Sequence, residues 1–356
     1  MKILLLGEFS ALHKNLKEGL ISLGHEVDIA SSGDGWKNIS RDIDLSVKGN
    51  YITQKIKHVI NLFKLTQVVK NYDVVQLMNP FIFYNKLIPN TFFYKKLIQN
   101  SKKFYLLGAG DDAYFWANGR KKLKYGPFDD FLKYDMNNAN GFFMENQRAF
   151  QVNKFIADSC DGIIPIMFEY ETSYDKHQNL KKTIPIPMNI EKIEYKENKI
   201  IGKIVVFHGL NRYGFKGTRH VEEAFKILEK KYPNDFELII DGNMPLEKYL
   251  EVMRKTNIVI DQTNSYSLGV NGIYALSMGK VVLGGVEPES LKSLEVENSP
   301  AINIKPNAQS IVEEIEKLLE KKEQLRDIGL QSRKFAKETH SHIKIAKKYL
   351  KAWGVE

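Results

Sequence analysis

IVVFHGLNRYGFKGTRHVEEAFKIL, residues 204–228, is the stretch that decides the fold class. Its apolar run over 204–208 predicts a buried strand, and the amphipathic pattern over 219–231 predicts a helix. The loop between them contains glycine and basic residues. A strand, a glycine-containing loop and a helix in this order are typical of an α/β protein with a parallel sheet.

The same alternation continues on both sides of this stretch. Towards the carboxyl terminus the pattern predicts strands 237–240, 258–260 and 281–283, helices 246–255 and 272–278, and a helical tail over 310–352 that breaks at Gly329. Towards the amino terminus it predicts strands 2–6, 26–30, 74–77, 103–107 and 162–166, with a helix over 12–23. Residues 184–200 combine two prolines with a charged stretch, which is typical of a linker. We therefore expect two doubly wound, Rossmann-like α/β domains that face a central cleft.

Composition excludes several other classes of protein. Hydrophobic residues make up 43% and charged residues 27% of the 356 residues, as in a globular enzyme. Cys160 is the only cysteine, which excludes an internal disulfide and argues against a cysteine-based metal site. The first apolar run, residues 3–6, is too short for a signal peptide, and no stretch has the roughly 20 apolar residues of a membrane span. We expect a cytoplasmic location, with peripheral attachment at the inner face of the membrane.

The segment 47–107 is strongly basic and aromatic. Asp73 is its only acidic residue, and six aromatic residues lie between Phe81 and Tyr94. Lysines interleaved with aromatic rings suit an anionic bilayer, and we favour this interpretation. One alternative is a solvated basic face over core aromatics. The other is nucleic-acid binding, which we do not expect. The lysines are Lys48, Lys55, Lys57, Lys64, Lys70, Lys86, Lys95, Lys96, Lys102 and Lys103.

Two loops of the second half have the composition of a diphosphate site. The loop after strand 204–208 offers Gly209, Arg212, Lys216 and Gly217 just before a helix, so backbone amides and two cations meet there. A charged surface loop capped by Thr218 is the alternative. The second loop lies in DQTNSYSLGVNGIYALSMGKVVLGG, residues 261–285, and again precedes a helix start with free N–H groups. Its candidate donor-binding residues are Ser267, Leu268, Gly269, Val270 and Asn271, with Tyr274 as a ribose or base contact or a core tyrosine.

Two loops of the first half complete the candidates. Gly7 follows the first strand, where doubly wound domains border their ligand, although the loop lacks the G-x-G-x-x-G pattern. LGAGDDAYF, residues 107–115, places Asp111 and Asp112 at a strand end. One of these acids would accept the proton of an acceptor hydroxyl or position the acceptor. The alternative is an ordinary helix N-cap.

These motifs together resemble the retaining GT-B glycosyltransferases of family 4. The basic loop with Lys216-Gly217, the glycine turn before a helix, MGKVV at 278–282 and GHEV at 24–27 carry the resemblance over nearly the whole chain. It implies that Arg212 and Lys216 bind the donor diphosphate, with Asn211 and Arg219 as alternatives to Arg212. It also implies a first domain 1–188, onto which helix 342–356 packs back, and a donor domain 189–341. No metal and no cofactor other than the nucleoside-diphosphate sugar co-substrate is implied.

The chain also departs from that family. Where the family usually has two glutamates eight positions apart, this chain has Tyr266 and Tyr274. A subset of bacterial surface-polysaccharide transferases is similar in its DQ…SYS…G…N…Y…MGKVV…EPE arrangement. Glu287 and Glu289 either compensate for the missing glutamates or are solvent-exposed loop acids.

The sequence thus predicts a metal-independent, hexosyltransferase-like glycosyltransferase. It would move a sugar from a nucleoside-diphosphate sugar to a glycan or lipid-linked acceptor, with retention, in bacterial surface polysaccharide or glycoconjugate synthesis. Arg212, Lys216 and the following helix start would stabilise the leaving diphosphate. The alternatives are a non-catalytic GT-B subunit that binds a partner or glycan, and a nucleotide-sugar epimerase. The sugar, the base and the acceptor have no signature in the sequence.

Overall fold

The structure, a computed structural model, describes residues 1–35, 38–47, 49–84, 90–134 and 144–355, with the backbone alone at residues 51 and 52. The chain divides into two compact units. The first comprises Met1–Lys122, Phe143–Asn189 and His342–Glu356, and the second comprises Leu123–Phe142 and Ile190–Ser341. Among the described residues, no helix is long and apolar enough to cross a membrane.

The nine strands that the sequence predicts are all present among the described residues, together with β3 and β11, which were not predicted. The strands are β1 (Lys2–Leu6), β2 (Glu26–Ser31), β3 (Ile43–Asp44), β4 (Val74–Leu77), β5 (Phe104–Gly108), β6 (Gly162–Pro165), β7 (Ile204–Gly209), β8 (Phe236–Asp241), β9 (Ile258–Ile260), β10 (Val281–Gly284) and β11 (Ile302–Asn303). The helices are α1 (Leu12–Ser22), α2 (Tyr51–Val68), α3 (Asn90–Asn100), α4 (Arg120–Lys122), α5 (Phe128–Tyr134), α6 (Gln147–Ser159), α7 (Phe168–Ser173), α8 (Tyr213–Lys216), α9 (Thr218–Lys231), α10 (Leu246–Lys255), α11 (Val270–Ser277), α12 (Pro288–Ser293), α13 (Ala308–Glu320), α14 (Leu325–Thr339) and α15 (His342–Ala352).

In the first unit, the described strands form one parallel sheet in the order β3-β2-β1-β4-β5-β6. Strands β4, β5 and β6 are buried at every residue, as apolar runs in parallel sheets require, whereas the edge strand β3 has no buried residue. The chain winds outwards from β1 to β3 and then returns to β4 on the other side of β1. The point of reversal therefore lies between β1 and β4, where such sheets open a crevice beyond the strand ends.

Helix α15, which has no strand partner, packs against α1 within the first unit. The contact is close at Gly19, where a Cβ atom would lie 2.2 Å from the His342 carbonyl oxygen. The His342 amide in turn donates to the Met188 carbonyl oxygen at 3.1 Å. Glycine at position 19 therefore allows the two helix backbones to approach.

Replacing Gly19 with alanine tests this helix contact. A glycine-to-alanine change inside a helix normally stabilises it by up to about 1 kcal/mol. Here we expect a loss of roughly 1 to 3 kcal/mol in the free energy of unfolding, because the methyl group displaces the α15 backbone. Urea denaturation of Gly19→Ala, beside the exposed control Ser22→Ala on the same helix, measures it. An unchanged or raised stability of Gly19→Ala would show that the helices do not meet there.

In the second unit, the described strands form a parallel sheet in the order β11-β10-β9-β7-β8. Helices α9 and α13 pack together, and their apolar faces join the sheet in one buried core. Here the reversal of winding lies between β7 and β9. The loops that follow these two strands are the two that the sequence marks as a diphosphate site.

The segment Leu123–Phe142 belongs to the second unit, whereas the sequence analysis includes it in a domain 1–188. Helix α5 packs directly on α8, with the Asp130 carbonyl oxygen 2.1 Å from the position of a Cβ atom at Gly214. The Asp130 carboxylate accepts two hydrogen bonds from Arg219 Nε at 3.1 and 3.0 Å. These contacts join the segment to the second unit. They are made with residues that are distant in the chain, so no local sequence pattern predicts them.

The expected helix break at Gly329 is wrong. Helix α14 runs through Gly329, and the interruption lies before it, between α13 and α14. A Cβ atom at Gly329 would lie 2.2 Å from the Gly279 carbonyl oxygen. The glycine therefore permits a close approach of α14 to the turn before β10 and does not end the helix.

Candidate functional site

Lys216 lies at the reversal point of the second sheet, at the end of the short helix α8. Its ammonium group donates to the carbonyl oxygen of Gly209, the last residue of β7, at 3.1 Å. It also lies 3.8 Å from Asp261 Oδ1, directly after β9. The residue is 9% exposed. One lysine thus links the carboxyl ends of the two strands between which the winding reverses.

Asp261 connects this lysine to the start of α11. Its side chain is 1% exposed, and Oδ2 accepts the Gly269 amide at 2.7 Å. A Cβ atom at Gly272 would lie 2.7 Å from the same oxygen, so the first turn of α11 fits closely around the carboxylate. The carboxylate therefore holds a cation and a helix amino terminus side by side. The sequence analysis did not single out Asp261, although a polar residue directly after a buried strand was a signal for it.

The glycines of the first loop allow its tight course. Gly217 has a φ of +69° and separates α8 from α9; a Cβ atom there would lie 2.0 Å from Thr263 Oγ1. At Gly209, the nearest atom to a Cβ position is Asn271 Nδ2 at 3.6 Å. Of the candidate donor-binding residues, Gly209, Lys216, Gly269 and Asn271 are thus brought together at one edge of the sheet.

His208 fixes the start of α9 from inside the core. Its Nδ1 lies 2.9 Å from the Ile260 carbonyl oxygen, which accepts only, so Nδ1 carries the proton. Its Nε2 then accepts the Thr218 hydroxyl at 2.9 Å. Burial, assisted by the charge of Lys216, lowers the pKa of His208 to about 3. The imidazole is therefore neutral and structural at physiological pH.

The two arginines of this region lie against other groups. The Arg212 guanidinium stacks on the Phe215 ring at 3.8 Å and lies 5.0 Å from the centre of the Phe131 ring. Arg219 pairs with Asp130 in α5. The diphosphate role of Arg212 stays a prediction, and Arg219, its alternative, is engaged with a carboxylate.

The turn before α11 is held by side chains of its own. The Ser267 hydroxyl lies 2.8 Å from that of Ser290, and the Ser267 carbonyl oxygen accepts Gln262 Nε2 at 3.1 Å. Leu268 packs over Gly284, where a Cβ atom would lie 2.7 Å from its side chain. Val270, half-buried, is the first residue of α11. These contacts fix the orientation of the amides at the helix start.

Tyr266 anchors the segment Leu123–Phe142 to the turn before α11. The Tyr266 hydroxyl accepts the Lys124 amide at 3.0 Å, and its ring stacks on Tyr125 with centroids 4.6 Å apart. Glu287 is 6% exposed and accepts hydrogen bonds from Tyr125 and Lys305. Of the two acids discussed with Tyr266, only Glu289 is an exposed residue; Glu287 is buried in this cluster.

Tyr274 is half-buried on α11 and faces α10. Its ring lies 6.2 Å from that of Tyr249, at an interplanar angle of 46°. Burial raises the pKa of Tyr274, and the charge of Arg254 opposes this shift. Both interpretations of this residue, a nucleoside contact and a core tyrosine, agree with a partly exposed ring.

In the first unit, the loop after β1 meets the turn after β4. Gly7 has a φ of +87°, and a Cβ atom there would lie 1.9 Å from Ile82 Cδ1. Glu8 is 4% exposed and accepts the amides of His13 and Lys14 at 3.3 and 2.9 Å. Burial raises the pKa of Glu8 to about 7, against the two amides that lower it. Sequence reasoning did not find this buried cap of α1.

Asp112 and Asp111 follow β5 at the same edge of the sheet. Asp112 is fully buried; Oδ1 accepts the Phe115 amide at 2.7 Å and Oδ2 accepts the Tyr174 hydroxyl at 2.8 Å. This is the geometry of the N-cap alternative. Asp111 is half-buried, and its Oδ1 lies 3.4 Å from Trp116 Nε1, which donates to it. Of the two, only Asp111 has carboxylate surface open to an acceptor.

Burial raises the pKa of Asp112 to about 7, outweighing the Phe115 amide and the Tyr174 hydroxyl, which lower it. An unfolded aspartic acid titrates near pH 4, so the folded state holds the proton more tightly. The stability that this protonation contributes is complete below about pH 4 and is lost as the pH rises through 7.

Asp112→Asn keeps an acceptor for the Phe115 amide and removes the titration. Between pH 5 and pH 8 we expect the variant to lose roughly 1 to 3 kcal/mol less unfolding free energy than the wild type. Urea denaturation at both pH values measures this, with Asp111→Asn as the control at the neighbouring position. Parallel pH profiles for wild type and Asp112→Asn would contradict a raised pKa.

No group of three or more His, Cys, Asp or Glu side chains among the described residues is arranged to hold a metal ion. A cavity of about 540 Å³ lies elsewhere in the second unit, lined by residues that include Lys199, Asp235 and Arg326. It is not formed by the loops after β7 and β9.

Comparison with known proteins identifies the fold. No protein-family model matches the chain, and no curated protein sequence is significantly similar to it. Among solved structures, it is similar to HepE from Anabaena in complex with UDP and glucose, with a TM-score of 0.66, 11% identity and 100% of both chains covered. It is also similar to sucrose-phosphate synthase from Thermosynechococcus elongatus, with a TM-score of 0.65, 14% identity and coverage of 99% of this chain and 98% of that one.

A third similar structure, from Listeria monocytogenes, is assigned as a UDP-N-acetylglucosamine 2-epimerase, with a TM-score of 0.55, 12% identity and coverage of 98% and 94%. At these identities the likeness establishes the fold. The chain has the GT-B architecture of two parallel-sheet α/β domains, as the sequence predicts.

Proposed function

We propose that this chain is a glycosyltransferase that takes its sugar from a nucleoside-diphosphate sugar. The observation that carries the proposal is the meeting of Lys216, the Gly209 loop and the amino terminus of α11 around Asp261. An ammonium group and the positive end of a helix at a reversal point of a doubly wound sheet favour a bound diphosphate. HepE, which has the same fold, is described in complex with UDP.

The chemistry assigned to the chain is stabilisation of the leaving group. As the bond between the sugar and the diphosphate breaks, negative charge grows on the diphosphate oxygens. Lys216 and the amides at the start of α11 are held by Asp261 and the Gly209 carbonyl before the reaction starts, so they need little reorganisation. No step requires a metal. We assign Arg212 a supporting contact with the diphosphate.

The finer features of the proposal rest on the sequence resemblance to family 4. We propose transfer with retention of the anomeric configuration, to a glycan or lipid-linked acceptor, in bacterial surface polysaccharide or glycoconjugate synthesis. Asp111, at the carboxyl edge of the first sheet, is the candidate to position the acceptor. Gly7 at the same edge stays a candidate for contact with the donor.

Lys216 variants test the diphosphate site. We expect Lys216→Ala to lower turnover at least tenfold, because the charge that it removes is most useful when the diphosphate leaves. The turnover of Lys216→Met, which keeps most of the buried aliphatic part of the side chain, should fall equally. The assay is slow donor hydrolysis across a panel of nucleotide sugars, and thermal unfolding checks the fold. Lys226→Ala, on the exposed face of α9, is the matched control.

Near-normal kcat/KM in both Lys216 variants, with intact unfolding transitions, would remove this lysine from the site. Release of the nucleoside diphosphate together with a free sugar supports a transferase. Interconversion of two nucleotide sugars without release would favour the epimerase alternative. Binding without any turnover, with acceptor present, would favour the non-catalytic alternative.

Variants of Tyr274 test whether its ring contacts the nucleoside. If the ring packs against the nucleoside, Tyr274→Ala should weaken binding of UDP roughly 3- to 10-fold, whereas Tyr274→Phe should change it less than twofold. Isothermal titration calorimetry measures both, with Tyr195→Ala, at a tyrosine 39% exposed in the same unit, as the control. Equal affinity in all variants would leave Tyr274 as a packing residue of α11.

A further inference from the structure

Helix α2 presents an apolar stripe to solvent. Ile56, Ile60 and Phe63 are 54%, 47% and 39% exposed. At about 100° per residue, their spacing of four and three places them within an arc of roughly 60°. The opposite face, with Leu62, Leu65 and the following Val69, is buried in the core of the first unit. The stripe is therefore additional to the face that the fold uses.

Lysines flank this stripe on the same side of the helix. Lys57 and Lys64 are exposed, and no salt-bridge partner for either lies among the described residues. Helix α2 contains no acidic residue. Asp73, the only acid between residues 47 and 107, is paired with Lys102 at 2.8 Å and accepts the Lys2 amide. The face is thus positive without local neutralisation. We call Ile56, Lys57, Ile60, Phe63 and Lys64 the outward face of α2.

Helix α3, which packs against α2, has the same character. Phe92 is 48% exposed, Lys95 and Lys96 are exposed, and the Lys96 ammonium lies 5.4 Å from the centre of the Phe92 ring. Three of the six aromatic residues between Phe81 and Tyr94, namely Phe83, Phe93 and Tyr94, are buried in the core, as the alternative of core aromatics expects. Lys48 and Lys86 lie outside the described residues.

We propose that the outward face of α2, together with Phe92, Lys95 and Lys96 of α3, docks on an anionic lipid bilayer. The apolar side chains enter the headgroup and acyl boundary, and the lysines meet lipid phosphates, as in helices that lie in the membrane interface. This surface belongs to the first unit and is independent of the diphosphate site. The inference therefore does not rest on the proposed function.

Charge distinguishes the bilayer from the other occupants of such a face. In a symmetric contact with a second copy, the outward face of α2 would meet itself, which brings lysines of one copy against lysines of the other. With no acid on the helix, nothing compensates for that repulsion. A nucleic acid would supply phosphates, but it offers no apolar phase for two isoleucines and a phenylalanine. An anionic bilayer supplies both.

Flotation of the full chain with lipid vesicles tests the proposal. We expect binding to phosphatidylcholine vesicles that contain about 30% phosphatidylserine at low salt, weakened at high salt because the charges are screened. Vesicles of phosphatidylcholine alone should bind much less. Lys57→Glu with Lys64→Glu should weaken binding at least tenfold, since each lysine near the surface contributes about fivefold. Lys226→Glu with Lys230→Glu, exposed on α9, makes the same change of net charge and should bind like the wild type.

The apolar stripe is tested separately. Ile56→Ser with Ile60→Ser and Phe63→Ser should also weaken flotation at least tenfold, and in a separate Ile60→Trp variant brominated lipid should quench the indole fluorescence. All these positions are exposed, so thermal unfolding should change little, and UDP binding should be unaffected. The proposal fails if the wild type ignores anionic vesicles at low salt, or if the α2 and α9 charge variants bind equally. It also fails if the stripe variant dissociates a dimer seen by sedimentation velocity while vesicle binding is absent.

Discussion

The carboxylate of Asp261 is the constraint on which the second unit's loops depend. It is 1% exposed, so a charge at this position is costly unless it is compensated. The compensation comes from the Gly269 amide and from Lys216. Because one group is at the start of α11 and the other at the end of α8, satisfying the carboxylate brings the two loops together. The order of the strands makes this possible, since β7 and β9 are neighbours across the point where the winding reverses.

This arrangement explains why the cation of the site is a lysine that is almost buried. The Gly209 carbonyl oxygen accepts a hydrogen bond from its ammonium group at 3.1 Å, and Asp261 Oδ1 lies 3.8 Å from the same group. The neutral His208 beneath the loop adds no competing positive charge, because its Nδ1–H is used by the Ile260 carbonyl and its Nε2 by Thr218.

Local patterns predicted the elements well and the long-range contacts poorly. The strands and helices of 204–283 other than the short helix α8, which was taken as loop, were predicted to within two residues, because buried apolar runs and helical periodicity are local properties. Gly329 was misread because a glycine that ends a helix and one that admits a neighbouring backbone are identical in sequence. The membership of Leu123–Phe142 in the second unit depends on Asp130 meeting Arg219, residues that are far apart in the chain. Asp261 was missed although it directly follows a buried strand, and Glu8 was missed although the amides that it accepts, those of His13 and Lys14, are only five and six residues away.

The tyrosine at position 266 has a structural consequence that a glutamate would not have. Its hydroxyl accepts the Lys124 amide and its ring stacks on Tyr125. The tyrosine therefore anchors the segment Leu123–Phe142 beside the turn before α11. Glu287 brings a carboxylate to the same cluster, but Lys305 and Tyr125 bond to it, which lowers its pKa despite the burial that raises it. Its charge is thereby largely committed within the protein. In the proposed enzyme, neither position 266 nor Glu287 would therefore offer the sugar an unengaged carboxylate.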